Sequence, residues 1–211
     1  MTSDQTHSSA HENDLGGRFP LYDPASFSGS AKTLYDHAIS TIVPEAHKAG
    51  FTAMLDDGRM IGPFNPMFAS PDIATAMLGL QKAESGNTAL GPATRQVVIL
   101  STGAVWRAPY ELYAHTAEAR MVGLSSETIE ALIRGEPPPE LGEADLTAQR
   151  FTLALVGRRQ VEDDVFEATR RAFGEKGIFD MIILAGCYQI ICSLLNALAI
   201  TAPQDRGDGR L

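Results

Sequence analysis

Val105-Trp106-Arg107-Ala108-Pro109-Tyr110-Glu111-Leu112-Tyr113-Ala114-His115 reads as the junction between two helices. Pro109 has no backbone N–H, suits the first position of a helix and disfavours helical geometry at the residue before it. One helix therefore has to end just upstream and another begin here. The upstream helix is expected to open at Pro92 and run through Val97, Val98, Leu100 and Ser101 to about Trp106. The downstream one continues from Tyr110 to Val122, where Gly123 supplies a C-terminal cap. Outward from this pair the helical pattern persists. Leu124-Ser125 starts a short helix that ends at Gly135, and Pro137-Pro138-Pro139 is a rigid spacer. Amphipathic helices are predicted over 143–157 and 164–173, with a charged turn of Arg158, Arg159, Glu162 and Asp163 between them.

On the N-terminal side, Leu34, Ala38 and Ile42 repeat at four residues behind Ser30 until Pro44 interrupts them, and a turn is expected at Asp56-Asp57-Gly58. Gly62-Pro63-Phe64-Asn65-Pro66 is an ordered but irregular loop, because two prolines withhold backbone donors. Ser70-Pro71-Asp72 then has the cap, first-turn proline and acidic residue of a helix start, followed by the apolar stripe Ile73, Met77 and Leu80 and a stop at Gly86-Asn87. No strand pair competes, so the fold class is all-α.

Seventeen Lys and Arg against 26 Asp and Glu leave a net charge of −9 over 211 residues, which argues against a nucleic-acid partner. The length suits one domain with tails: a flexible N-terminal tail over 1–30, a helical domain over 31–203 and a short C-terminal tail over 204–211. Leu15, Phe19, Leu21, Tyr22 and Phe27 are the only anchors the first tail offers, and its His7 and His11 have a metal-pair spacing without a fixed helix to present it. Two cysteines exclude a disulfide scaffold and fit a reducing cytoplasm, and the polar, acidic start is unlike a signal peptide. The stretch 178–200 is apolar almost all round, long enough to span a bilayer, yet Asp180, Gln189, Ser193 and Asn196 recur along it. It is read as a helix buried partly by its own domain and partly by a second subunit, with no membrane partner.

Glu111 and His115 lie one helical turn apart, about 40° around the axis and about 6 Å along it, so they share a face. A carboxylate beside an imidazole raises its basicity and orients it, and partial burial opposes the charge, a balance suited to proton transfer near neutral pH. Arg107, one turn earlier, is a candidate for holding an anionic substrate. Glu118 extends the face to three potential metal ligands, but no known metal signature is present and no metal is assigned. Cys187 and Cys192, five apart on a helix, point in different directions and are read as buried small hydrophobes. With no strand before a glycine-rich loop, the usual nucleotide-cofactor signature is missing, and no cofactor is assigned.

Six pieces together resemble the carboxymuconolactone decarboxylase family, which shares its helical fold with alkylhydroperoxidase D. They are Gly62-Pro63-Phe64-Asn65-Pro66, Arg95-Gln96-Val97-Val98-Ile99-Leu100, Tyr110-Glu111-x-x-x-His115, Gly123-Leu124-Ser125, Phe173-Gly174-Glu175-Lys176-Gly177 and Leu194-Leu195-Asn196-Ala197. They stand in family order over about 61–203. The resemblance implies a helical domain assembling as trimers or hexamers, with His115 lining a pocket near a subunit boundary. Two departures are informative. Where the peroxidase branch has a Cys-x-x-Cys pair, this chain has Ala108 and Glu111, so it lacks the low-pKa thiolate and resolving thiol of that chemistry. Where many relatives have a relay Glu, it has Gln96, whose amide cannot hold a proton at neutral pH.

The function expected is a cofactor-independent proton-transfer enzyme, a decarboxylase-like lyase or isomerase acting on a small organic acid or lactone. His115 moves the proton, Glu111 orients it, Arg107 holds a carboxylate, and Tyr110 or Tyr188 donates to a developing oxyanion. The rivals are a non-catalytic helical oligomer that binds a small hydrophobic ligand, and a peroxidase dependent on Cys187 or Cys192.

Overall fold

A computed structural model describes residues 15–203. Among these residues the secondary structure is helical, and an isolated antiparallel bridge between Met54 and Met60 closes the expected turn at Asp57-Gly58. The helices are α1 (Gly29–His37), α2 (Val43–Ala49), α3 (Pro71–Asn87), α4 (Pro92–Trp106), α5 (Pro109–Met121), α6 (Ser126–Arg134), α7 (Glu143–Thr152) and α8 (Asp163–Ala197).

The middle of the molecule is α4, because its run Val97 to Leu100 is apolar on every side and a helix carrying it is stable only when enclosed. Every residue from Gln96 to Gly103 is buried, and α5, α6, α7 and α8 surround it. Val97 and Leu100 pack with Ala119, Ile129 and Leu132 on one side, while Val98 and Ile99 meet Phe151, Met181 and Leu184 on the other. Each such side chain, fully buried, stabilises the fold by roughly 1.5–3 kcal/mol. A third cluster gathers the N-terminal elements, the loop before α3 and the end of α8 around Ile61, Tyr110 and Leu195.

Several sequence expectations are corrected. Pro44 interrupts the first helix without ending the helical course: a π-helical turn, Ala38–Ile42, joins α1 to α2. Its missing N–H and ring bulk disrupt the bond to the carbonyl four residues back, and the wider turn, in which Val43 N–H reaches the Ala38 carbonyl, carries the chain past it. Ser70 precedes α3 but makes no side-chain cap. The stripe of α3 is largely outward, with Ile73 72% and Leu80 46% exposed, while Ala74 is buried and Met77 and Leu78 pack against the core. The helices expected over 164–173 and 178–200 are the two arms of α8, which follow one another across a break at Gly174, whose φ of 66° and ψ of −178° leave the helical region. Its apolar window is half buried inside the chain, and Asp180 is paired there with Lys176 and with the Ala89 N–H, which it accepts at 2.7 Å.

Residues 15–30, expected to belong to a tail, are packed. Asn65 accepts from the Tyr22 N–H and donates to the Pro20 carbonyl, both at 3.0 Å, and Phe27 stacks on Phe68 with centroids 4.3 Å apart. The irregular loop over 62–66 thus presents Asn65 as a buried polar clamp for the N-terminal segment. His7 and His11 lie outside the described residues.

Candidate active site

The α4–α5 junction is as tight as Pro109 requires. Arg107 adopts a left-handed conformation with φ of 49°, and Asn196 of α8 donates to the Trp106 carbonyl at 2.7 Å. Two glycines let α5 settle deep. A Cβ at Gly62 would stand 2.2 Å from Tyr110 Cζ, and one at Gly103 would stand 3.2 Å from Glu111 Cγ. Tyr110 donates its hydroxyl proton to the Thr52 carbonyl at 2.7 Å, and Tyr113 accepts from the Thr52 N–H at 3.0 Å. These bonds lock α5 to the chain before the first loop and aim its next turn, Glu111 and His115, inward.

That face opens on a cavity of about 390 Å³ bounded by α1 and its π turn, α2, α3, the start of α4, α5, α8 and the 62–67 loop. Glu111 and His115 are both buried, and Glu111 Oε1 lies 3.2 Å from His115 Nε2. The contact lacks hydrogen-bond geometry, so Oε1 is a buried carboxylate oxygen without a hydrogen-bond partner. On the opposite edge of the ring, Nδ1 lies 3.0 Å from Gln96 Oε1 and 3.3 Å from Glu118 Oε2. Tyr188 of α8 stands edge-on to the imidazole, centroids 4.9 Å apart at 87°.

Burial pushes the Glu111 carboxyl up to about 7, against the opposing attraction of His115. Placement in the first turn of α5 favours the anion but does not offset the loss of water. For His115, burial works against the charged ring, but Glu111 and Glu118 outweigh it and its pKa is raised. Burial also acts on Glu118, where His115 and the Gln96 amide prevail and hold it below the ordinary carboxylate value. Burial keeps the Tyr188 phenol protonated far into alkaline conditions. The site therefore sets a buried carboxyl that titrates at about 7 beside an imidazole whose pKa is raised.

The sequence candidates are distributed unevenly. Glu111, His115, Tyr110 and Tyr188 all border the cavity, although the Tyr110 hydroxyl is spent on Thr52. Arg107 does not border it: the residue is exposed at the turn between α4 and α5. The guanidinium that does face the cavity is Arg95, half-buried and ion-paired with the buried Glu84 of α3. Sequence reasoning missed its role, although its place one residue before Gln96 in α4 was a usable signal. Glu111 and Glu118 stand at opposite nitrogens of one ring, so the three side chains do not converge on one point as metal ligands would. Cys187 borders the cavity and Cys192 does not; both are buried free thiols, and burial raises the pKa of each.

Residues 71–153 match the family model of the carboxymuconolactone decarboxylase family. The matched span holds Arg95, Gln96, Glu111, His115 and Glu118, whereas Tyr188 and Cys187 come from outside it. No curated protein matches the chain. Solved structures share the fold. An uncharacterised peroxidase-related protein from Ralstonia eutropha JMP134, described as an alkylhydroperoxidase AhpD core, superposes with a TM-score of 0.71 at 16% identity, covering 90% of this chain and 93% of its own. A peroxidase-related protein from a Silicibacter species gives 0.69 at 15%, with the same coverage of 90% and 93%. The debrominase Bmp8, solved with 2,3,4-tribromopyrrole, gives 0.66 at 15%, covering 89% of this chain and 94% of its own. The described residues thus have an all-helical, AhpD-like fold.

Proposed function

We propose that the protein is a cofactor-independent proton-transfer enzyme, a decarboxylase-like lyase or isomerase whose substrate is a small organic acid or lactone. One observation carries the reading: a buried carboxylate oxygen without a hydrogen-bond partner stands 3.2 Å from a buried imidazole nitrogen at the wall of a cavity of small-molecule size. With Glu111 pushed up to about 7 and His115 raised, the pair carries a transferable proton at neutral pH.

In a decarboxylation, the substrate carbon–carboxylate bond breaks and its electron pair passes into a conjugated carbonyl, leaving carbon dioxide and an enolate. Arg95 takes the place first assigned to Arg107 in holding a substrate carboxylate, since a guanidinium has five donors and Glu84 engages Nη1. Tyr188, a phenol at every working pH, donates to the enolate oxygen, and His115 delivers the proton to carbon from Nε2, recharged by Glu111. An isomerisation uses the same pair to remove and return a proton.

A screen over carboxylated lactones and β-keto acids tests this. On any substrate found, His115→Ala is expected to lower kcat by about 10²–10⁴-fold, the usual weight of a general acid or base. A variant as active as wild type would refute the assignment. The thiol-dependent rival requires Cys187, whose sulfur shares the cavity but is held protonated by burial. Turnover surviving in Cys187→Ser counts against it.

A further inference from the structure

Three contacts converge on one edge of the His115 ring. Gln96 Nε2 donates to Glu118 Oε2 at 2.9 Å, Gln96 Oε1 lies 3.0 Å from His115 Nδ1, and Glu118 Oε2 lies 3.3 Å from the same nitrogen. An ionised carboxylate only accepts hydrogen bonds. Glu118 therefore takes the NH₂ end of the Gln96 amide, and the carbonyl end turns to the ring. Both neighbours of Nδ1 are then acceptors, and Nδ1 has to be the donor. Arg95 and Gln96 of α4, Glu84 of α3, Tyr188 of α8, and Glu111 and Glu118 of α5 make up the charged and polar surroundings of the ring.

We infer that Glu118, acting through the Gln96 amide, is a positioning residue that keeps a proton on His115 Nδ1 and leaves Nε2, which faces Glu111, as the nitrogen that exchanges protons. This gives Gln96 a purpose that a relay carboxylate would not serve. An amide has a donor end and an acceptor end, so it transmits the acceptor character of Glu118 across to the ring as a direction. A carboxylate at 96 would instead bring a second negative charge against Glu118. The value of the arrangement for turnover rests on the proton-transfer reading above; the tautomer itself does not.

Nitrogen-15 NMR of the full-length protein with labelled imidazoles reads the tautomer directly, on the alkaline side of the His115 titration where the ring is neutral. In water, neutral histidine favours the proton on Nε2. The wild-type His115 is expected to reverse this, with Nδ1–H ahead by about tenfold or more, the weight of one charge-assisted hydrogen bond. Glu118→Met, which removes the acceptor, is expected to lose about tenfold of that preference. Glu118→Lys, which puts a donor where the acceptor stood, is expected to turn the amide and move the proton to Nε2. A wild-type ring protonated on Nε2, or a ratio unchanged in either variant, would overturn the inference, and the wild-type spectrum decides even if a variant fails to fold. Because no substrate is involved, absence of turnover bears only on the enzyme reading, and a misplaced proton bears only on this one.

Discussion

Glu111 is the residue on which the electrostatics of the site turn. Its ordinary carboxyl value of 4.5 is pushed up to about 7 by burial, so the folded chain binds a proton there that the unfolded chain releases. The sign follows from linkage: a raised pKa contributes stability that is complete below about 4.5 and lost progressively as pH climbs to about 7. His115, also raised, contributes in the same direction at higher pH, whereas the lowered Glu118 contributes stability that disappears as pH falls through its own range. Thermal melts of Glu111→Gln are therefore expected to show a shallower alkaline decline in Tm than wild type between about pH 5 and pH 8. An effect of about 1 kcal/mol would appear as roughly 2–4 °C. Parallel declines in the two proteins would show that Glu111 ionises normally.

At the scale of elements, the site depends on how closely α5 is allowed to approach its neighbours. Gly62 adopts φ of 63° and faces the Tyr110 ring with no room for a methyl group. Gly62→Ala is expected to displace Tyr110, break its bond to Thr52 and destabilise the fold by more than about 1–3 kcal/mol, since backbone strain and a steric clash act together. Chemical denaturation checks this, and an unchanged midpoint would mean that the loop relaxes freely. Gly174 tests a separate element. Its conformation in α8 is nearly exclusive to glycine, yet nothing lies within 4 Å of the point where a methyl group would stand, so Gly174→Ala isolates backbone strain, at about 1–3 kcal/mol. The π turn before Pro44 also belongs to this scale, because it shapes one wall of the cavity with Thr41 and Ile42.

Across the whole molecule, α8 buries one face in the core and leaves another uncovered. Phe179, Ile182 and Ile190 are 63%, 41% and 49% exposed, and on a helix they fall within an arc of about 80°. A contiguous apolar face of this kind marks an interaction surface. We propose a second copy of the chain as its partner, and light scattering is expected to return a mass above the 22.6 kDa of one chain. Ile190→Glu, at a position where the monomer itself needs no apolar contact, is expected to lower that mass while preserving the helical content. A single-chain mass for the wild type would remove the proposal.

The local grammar of the chain was sufficient for the helical class and for most boundaries. Pro92, Pro109, Gly123 and Gly135 act on their own backbone, and so does the turn spacing that puts Glu111 and His115 on one face. What that grammar leaves undetermined is everything that depends on a neighbour from elsewhere in the chain. Arg95 supplants Arg107 at the cavity because α3 brings Glu84 to it, Gln96 becomes a connector because Glu118 of the next helix meets it, and Tyr188 reaches the ring from α8, 73 residues beyond His115 in the sequence. Periodicity finds an apolar stripe on α3 and an apolar surface on α8, but only packing chooses which side is enclosed. Burial is a property of the assembled fold, and burial is what turns an ordinary glutamate into an acid that titrates at about 7.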